Sequence, residues 1–365
     1  ADVPRLPADR RIFVEDPSRP APGADAFRWF FYASSPPWTN TRHSLTNVRL
    51  AQKDFLIKLR NVYSFFVTYA NIEKWDANAP RVPVRERPAL DRYVLAELDH
   101  TVRKVRAELD VYKSHQAVKH IEAFVDALSN WYVRRSRGRF WSNEESADKA
   151  AAFATLYEVL VDLTKLVAPF VPFVAESLYQ NLVRSVDPAA PESVHLADYP
   201  RPDDARADEL LRESVEEVRR AVTLGQRVRN EQKLKVRQPL AEAVIVVASD
   251  AERDRIAPFV AEIRDELNVE KVSFTSDPSR YVEFTLLPNF RALGPKLGKL
   301  VPACKKALMD ADGAALYAEM SERRQVTIQV EGQEITLTGE EIEVRLSAKE
   351  DFAAARQGGH VVVLD

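Results

Sequence analysis

Through roughly the first two thirds of the chain, apolar residues recur at intervals of three and four, the repeat of helices that each bury one face. Over 44–69 the stripe is Leu45, Val48, Phe55, Leu59, Val62 and Phe66, and Ser44 stands where an N-cap side chain accepts a free amide. Proline-rich 80–88 breaks the pattern. A second stripe, Leu95, Leu98, Val102, Val105 and Leu109, predicts a helix over 89–112. A third helix starts near Ser114 and runs through Ile121, Phe124 and Leu128 into the stretch NWYVRRSRGRFW. Helices over 145–167 and 169–183 follow, separated by prolines at 169 and 172. Antiparallel packing of about five helices is the economical arrangement, with Phe55, Leu59, Phe124, Leu128, Leu160, Phe173 and Leu178 in its core.

The pattern then changes. Residues 187–204 are acidic and proline-rich, which suits a linker, and a long charged helix is expected over 205–235. From Gln238 onward short β-branched runs take over at 243–247, 271–274, 281–286, 325–330, 334–337 and 342–346, with helical patterns at 251–264 and 298–308 between them. The fold class is therefore mainly α, a helical bundle followed by a small α+β domain. The expected division is a lead-in segment over 1–43, the bundle over 44–186, linker and long basic helix over 187–240, and the α+β domain over 241–365.

Composition narrows the class. Only 10 of 365 residues are glycine, about 3% against a usual ~7%, which agrees with a helical chain. One cysteine, Cys304, excludes an internal disulfide and a multi-cysteine zinc site, and the expectation is a cytoplasmic protein with no metal. No run reaches the ~20 apolar residues that span a bilayer, so no membrane partner is expected.

Catalytic signatures are absent: the sequence has no HExxH, GxSxG or GxGxxG, and its six histidines are scattered. The stretch GPKLGK (294–299) is one residue short of a phosphate loop and lacks the Ser/Thr that would hold magnesium, so it reads as a basic turn leading into a helix. Carboxylate pairs such as Asp203/Asp204 and Glu340/Glu341 fit a solvated surface.

Local charge says more than the net charge of −3. NWYVRRSRGRFW (130–141) has four arginines, four aromatics and no acid. At about 100° per residue, Arg135 and Arg139 prolong the core stripe, while Arg134, Arg137 and Trp141 share a neighbouring face. Arginines beside aromatic rings suit phosphate contact and stacking on unpaired bases, but tryptophans in the core with arginines paired to neighbouring acids would fit as well. A second patch, 219–237, has seven Lys/Arg against Glu231 alone, and a third, 291–306, has five cations and no acid. Three basic patches on a weakly acidic chain point to a shaped polyanion.

The segments GADAFRWFFYASSPPW (23–38), LSNWYVRRSRGRFW (128–141), LVAPFVPFVAESLYQNLV (166–183), RNEQKLKVRQPL (229–240) and LPNFRALGPKLGK (287–299) resemble, in order, the C-terminal part of class I isoleucyl-tRNA synthetases. Valyl-tRNA synthetases share the bundle motifs, but the last two segments are similar to the isoleucyl enzymes. The resemblance implies a helical anticodon-binding domain and an appendix that also touches tRNA. It implies isoleucine tRNA as partner, with no DNA, and Trp131, Arg134, Arg135, Arg137 and Trp141 as contacts, followed by Arg229, Lys233, Lys235 and Arg237. The family activates isoleucine with ATP and magnesium through His-Ile-Gly-His and Lys-Met-Ser-Lys-Ser motifs, and neither occurs here. The segment before GADAFRW, where the second motif would lie, reads RRIFVEDPSRPAP (10–22). This segment is accordingly expected to hold no catalytic residue and no cofactor and to be inactive alone. It is expected to be monomeric, its catalytic half either continuous with it or encoded separately. The competing expectation is a non-catalytic tRNA-binding paralogue or helical scaffold acting in trans.

Overall fold

The apolar stripes meet one another in the computed structural model, which describes residues 21–40, 44–247, 249–277, 280–349, 352–357 and 360–364. The expectation for 1–20 and 41–43 lies outside the described residues. Contacts divide the chain into two units, one ending at Arg212 and the other beginning at Glu213.

The first unit is helical. Its α1 (Ala24–Ala33) lies in the segment expected as a lead-in, yet it buries Ala26, Trp29 and Phe30. The Trp29 ring stacks on Phe55 at 3.4 Å between centroids, and its Nε1–H donates to Glu122 at 3.1 Å. Ser44 caps α2 (Leu45–Ala51) by accepting from the Asn47 amide at 3.2 Å. A π-helical stretch, Gln52–Ile57, leads into α3 (Lys58–Ile72). Next come α4 (Ala89–Asp110) and α5 (Ser114–Ala127), the latter passing through π-helical Leu128–Val133 into α6 (Arg134–Trp141). In the π-helical stretch three successive residues, Trp131, Tyr132 and Val133, are buried. α7 (Ala147–Val167) and α8 (Pro172–Tyr179) complete the bundle.

Phe55, Leu59, Phe124, Leu128, Leu160 and Leu178 are buried as expected. Phe173 is not: it is 68% exposed. α8 starts only at Pro172 and buries Ala175, Leu178 and Tyr179, so Phe173 falls on the opposite face. The stretch expected as a linker is tied to the bundle, with the Tyr179 hydroxyl donating to the Pro191 carbonyl at 3.0 Å and the Tyr199 hydroxyl to that of Leu166 at 3.0 Å. The charged helix, α9 (Glu209–Glu231), is shorter than 205–235 at both ends.

In chain order the second unit runs β1 (Leu240–Val246), α10 (Asp250–Ile256), α11 (Val260–Leu267), β2 (Val269–Thr275), β3 (Val282–Pro288), α12 (Phe290–Leu297), α13 (Val301–Asp310), α14 (Gly313–Arg323), β4 (Gln325–Val330), β5 (Gln333–Thr338), β6 (Ile342–Ala348), β7 (Ala353–Gln357) and β8 (His360–Leu364). A four-stranded sheet has the order β2-β1-β8-β7, with β1 and β2 parallel and the other pairs antiparallel. β3 pairs antiparallel with β6, and β4 with β5. Val244, Leu286, Leu293, Cys304, Leu308, Val326 and Val363 share one core. At Gly313 an added Cβ would lie 1.8 Å from the Phe284 carbonyl oxygen, so only glycine lets α14 start against β3.

Two outcomes follow from the first unit. Leu128 has no exposed surface, and Leu128→Ala should lower stability by about 2 to 5 kcal/mol, read as a shifted urea midpoint. Asp99, also buried, accepts the Asp203 amide at 3.2 Å and lies 3.9 Å from Arg206. Burial outweighs the attraction of Arg206 and raises its pKa from 3.8 to about 6. The folded state thus holds this proton more tightly than the unfolded chain. The stabilisation is complete below pH 3.8 and is lost as pH rises through about 6. Midpoints measured across that window for wild type and Asp99→Asn should differ in slope, and parallel profiles would contradict the assignment.

Candidate nucleic-acid interface

A buried cation needs a partner, so hydrogen bonding sorts the arginines of the basic stretches. Arg139, on the core side of α6, donates from Nη1 and Nη2 to the two carboxylate oxygens of Asp91, each at 2.7 Å. It also donates to the Asp148 carboxylate and to the Asp148 carbonyl, both at 2.9 Å. The Tyr132 hydroxyl donates to Asp91 at 2.8 Å. Burial opposes the charge on Arg139, but the bonds and charge of Asp91 outweigh it and hold its pKa above the ordinary value. For Tyr132, burial and the nearby Asp91 carboxylate act together and raise the phenol pKa well above 10. This cluster joins α4, α6 and α7 and is structural.

The expected contact residues on the same helix separate. Trp131 is only 6% exposed, and the Arg135 guanidinium lies over its ring at 5.2 Å from the centroid. Trp131 is therefore no platform for a base; it is a core residue roofed by a cation. Arg134 is exposed and donates from Nε to the Asn130 carbonyl at 2.9 Å. Arg137 is exposed, and among the described residues no ion pair or side-chain hydrogen bond holds it. Trp141 is 55% exposed, its ring 6.4 Å from that of Tyr69. Arg137 and Trp141 thus offer a cation and an aromatic face at one helix end.

In the second patch Arg229 is a correction. It has no exposed surface, and its five N–H groups go to backbone carbonyls: Leu267 twice, at 2.9 and 2.6 Å, Asn268 at 3.0 Å, Lys235 at 3.1 Å and Gln238 at 3.0 Å. Burial lowers its pKa from the ordinary guanidinium value. No donor is left for a phosphate. What Arg229 does is fix the turn that follows α9, in which Lys233 adopts φ 57° and the Lys233 amide donates to the Asn230 carbonyl at 3.1 Å. Lys233, Lys235 and Arg237 are exposed on that turn, and among the described residues no side-chain partner engages them. The third patch loses Lys296, whose ammonium bonds both Glu341 oxygens at 2.8 and 3.1 Å and the Thr336 carbonyl at 3.2 Å. Among the described residues no group of three His, Cys, Asp or Glu side chains could hold a metal, and no helix is long and apolar enough to cross a membrane.

Residues 91–245 match the family model described as the anticodon-binding domain of tRNA ligase. This chain carries an anticodon-binding domain of a tRNA ligase. The matched residues begin at Asp91 itself and include α6, α9 and the Lys233–Arg237 turn, whereas the third patch lies beyond them. Over 344 residues, 94% of this chain and 33% of the relative, it is 41% identical to the isoleucine–tRNA ligase of Thermus thermophilus. It is 42% identical over 343 residues to that of Clostridium acetobutylicum and 40% identical over 344 to that of Deinococcus radiodurans, covering 33% and 31% of them. The chain thus spans about a third of the length of the curated relatives it matches.

Arg139→Met leaves the buried Asp91 carboxylate with the Tyr132 hydroxyl but without its cation and should cost about 3 to 5 kcal/mol. Arg137→Gln, at an exposed position with no partner to lose, should stay within about 0.5 kcal/mol. Urea denaturation of both variants checks this, and equal midpoints would mean that the Asp91 pairing does not hold the bundle.

Proposed function

We propose that this chain is the tRNA-binding C-terminal portion of an isoleucine–tRNA ligase and that it holds isoleucine tRNA by its anticodon region. The observation that carries the reading is the 41% identity to the Thermus enzyme along 94% of the chain. The side chains left exposed within the matched residues support it. Arg137 and Arg134 meet phosphates at the end of α6, and Trp141 stacks on an unpaired base. Arg135 contributes charge at the same end while covering Trp131, and Lys233, Lys235 and Arg237 make a second phosphate contact from the turn that Arg229 shapes.

In the whole enzyme, ATP and magnesium serve the activation of isoleucine in a catalytic half, and these residues position the tRNA for it. They contain neither ATP-site motif, so the isolated segment should catalyse no isoleucine-dependent exchange of pyrophosphate into ATP. The segment acts as a monomer in the cytoplasm.

Binding measured by fluorescence anisotropy at several salt concentrations tests the reading. Arg137→Gln should weaken tRNA binding and reduce the salt slope by about one. Trp141→Ala should cost about 1 to 3 kcal/mol of affinity with the slope unchanged. Isoleucine tRNA should bind more tightly than the same tRNA with an exchanged anticodon. Equal binding of the two tRNAs, with both variants like wild type, would favour a helical scaffold instead.

A further inference from the structure

Residues 201–212 lead from the buried Pro200 into α9 and include its first turn. None of these twelve residues is buried, and Leu210 is 65% exposed. Seven of them are charged, so what holds the stretch to the bundle is polar.

One set of bonds comes from α4. Arg92 donates to Asp208 and Arg103 to Asp204, both at 3.1 Å, and the Asp99 carboxylate accepts the Asp203 amide at 3.2 Å. Two arginines of the stretch bond in the opposite direction: Arg206 donates to Asp162 of α7 at 2.8 Å, and Arg212 to Glu97 of α4 at 3.4 Å. Within the stretch, the Asp203 carboxylate caps a 3-10 turn, Asp204–Arg206, by accepting the Ala205 amide at 2.9 Å. The residues just before it are anchored differently. The Tyr199 hydroxyl bonds the Leu166 carbonyl at 3.0 Å, and Arg106 donates to the carbonyl of Pro200 at 3.1 Å. The stretch therefore has a fixed end at Tyr199 and Pro200, and beyond it charge replaces apolar burial. Ion pairs at partly exposed positions are worth little one by one and are screened by salt. A segment that depends on several of them and buries no side chain belongs to the low end of local stability, below the helices it rests on.

We propose that residues 201–212 form an electrostatic strap, which opens from α4 and α7 as one piece while the helices beneath it stay folded. Pro200 is its hinge, and salt concentration sets how often it is open. The first unit ends at Arg212, so the open strap is a free connection to the second unit. A flexible chain of that length spans about 20 Å. None of its residues is among the cations assigned to phosphates above, so the strap stands or falls apart from the tRNA reading.

Hydrogen–deuterium exchange of the full chain, read by mass spectrometry in ~0.05 M and ~0.5 M sodium chloride, tests it. Peptides covering 201–212 should exchange about three- to tenfold faster at the higher salt, with the peptides of α4 and α7 unchanged. Arg92→Gln/Arg103→Gln should give the same acceleration at low salt and leave less for salt to add. Asp204→Asn/Asp208→Asn removes the same two pairs from the strap side, where asparagine can still cap α9 and the bundle loses nothing. Acceleration confined to 201–212, under salt or in either variant, supports the strap. Exchange of 201–212 at the rate of the α4 peptides in both salts would mean that it opens only with the bundle. Complete exchange at the first time point in low salt would mean that it is never closed, and a rate indifferent to salt and to both variants would mean that charge does not hold it. Each of these three outcomes overturns the proposal.

Discussion

An arginine withdrawn from water must have its charge and its donors met, and this one requirement organises both units. In the first unit it is satisfied by the Asp91–Arg139–Tyr132 cluster, with Asp148 as the second acceptor. Asp91 sits in the first turn of α4, Tyr132 in the π-helical stretch, Arg139 in α6 and Asp148 at the start of α7, so a few hydrogen bonds fix the rotation of α6 about its axis. Once that rotation is fixed, Arg137 and Trp141 have no choice but solvent. Arg87 repeats the device with two 3.0 Å bonds to Glu158.

Arg229 meets the same requirement without a carboxylate. Four carbonyl oxygens take its five N–H groups, which is enough to satisfy the donors but leaves the charge uncompensated, and its pKa falls accordingly. The carbonyls come from the end of α11, from Asn268 and from the turn at 235–238, so the guanidinium works as a backbone clamp. Its effect is to hold three unpaired cations on a turn whose shape does not depend on a ligand. A preformed cationic turn spends less ordering entropy on binding than a loose tail of the same composition would.

Most helices of the bundle were legible because their stripes are long and regular: 89–112 became Ala89–Asp110 and 145–167 became Ala147–Val167. The family resemblance was carried by whole segments, and the match at 91–245 agrees with it. What escaped was set by long-range partners. α1 is a short aromatic run whose helicity depends on Trp29 meeting Phe55 and Glu122. β7 and β8 close the four-stranded sheet far along the chain from β1, and local alternation does not announce such a pairing. The site residues divided on the same ground. Composition marks Arg137, Arg139 and Arg229 alike; only Asp91 and the carbonyls of 267 and 268 decide which of them remains available.

Arg137, Lys233, Lys235 and Arg237 stand on a chain whose net charge is −3. A polyanion therefore gains nothing from the molecule as a whole. At physiological ionic strength the Debye length is about 8 Å, so acidic groups farther away than that neither repel a phosphate at Arg137 nor weaken one at Lys235. Attraction arises only where a phosphate comes within reach of a particular cation, and it is reinforced only where an unpaired base reaches Trp141 at the same time. On the proposed reading, such an arrangement would favour an RNA whose shape presents phosphates and splayed bases together over a uniform duplex, which offers phosphates without free bases. The withdrawn arginines contribute by subtraction: Arg139 is held by Asp91 and Arg229 by backbone carbonyls, so neither adds to the charge those patches offer.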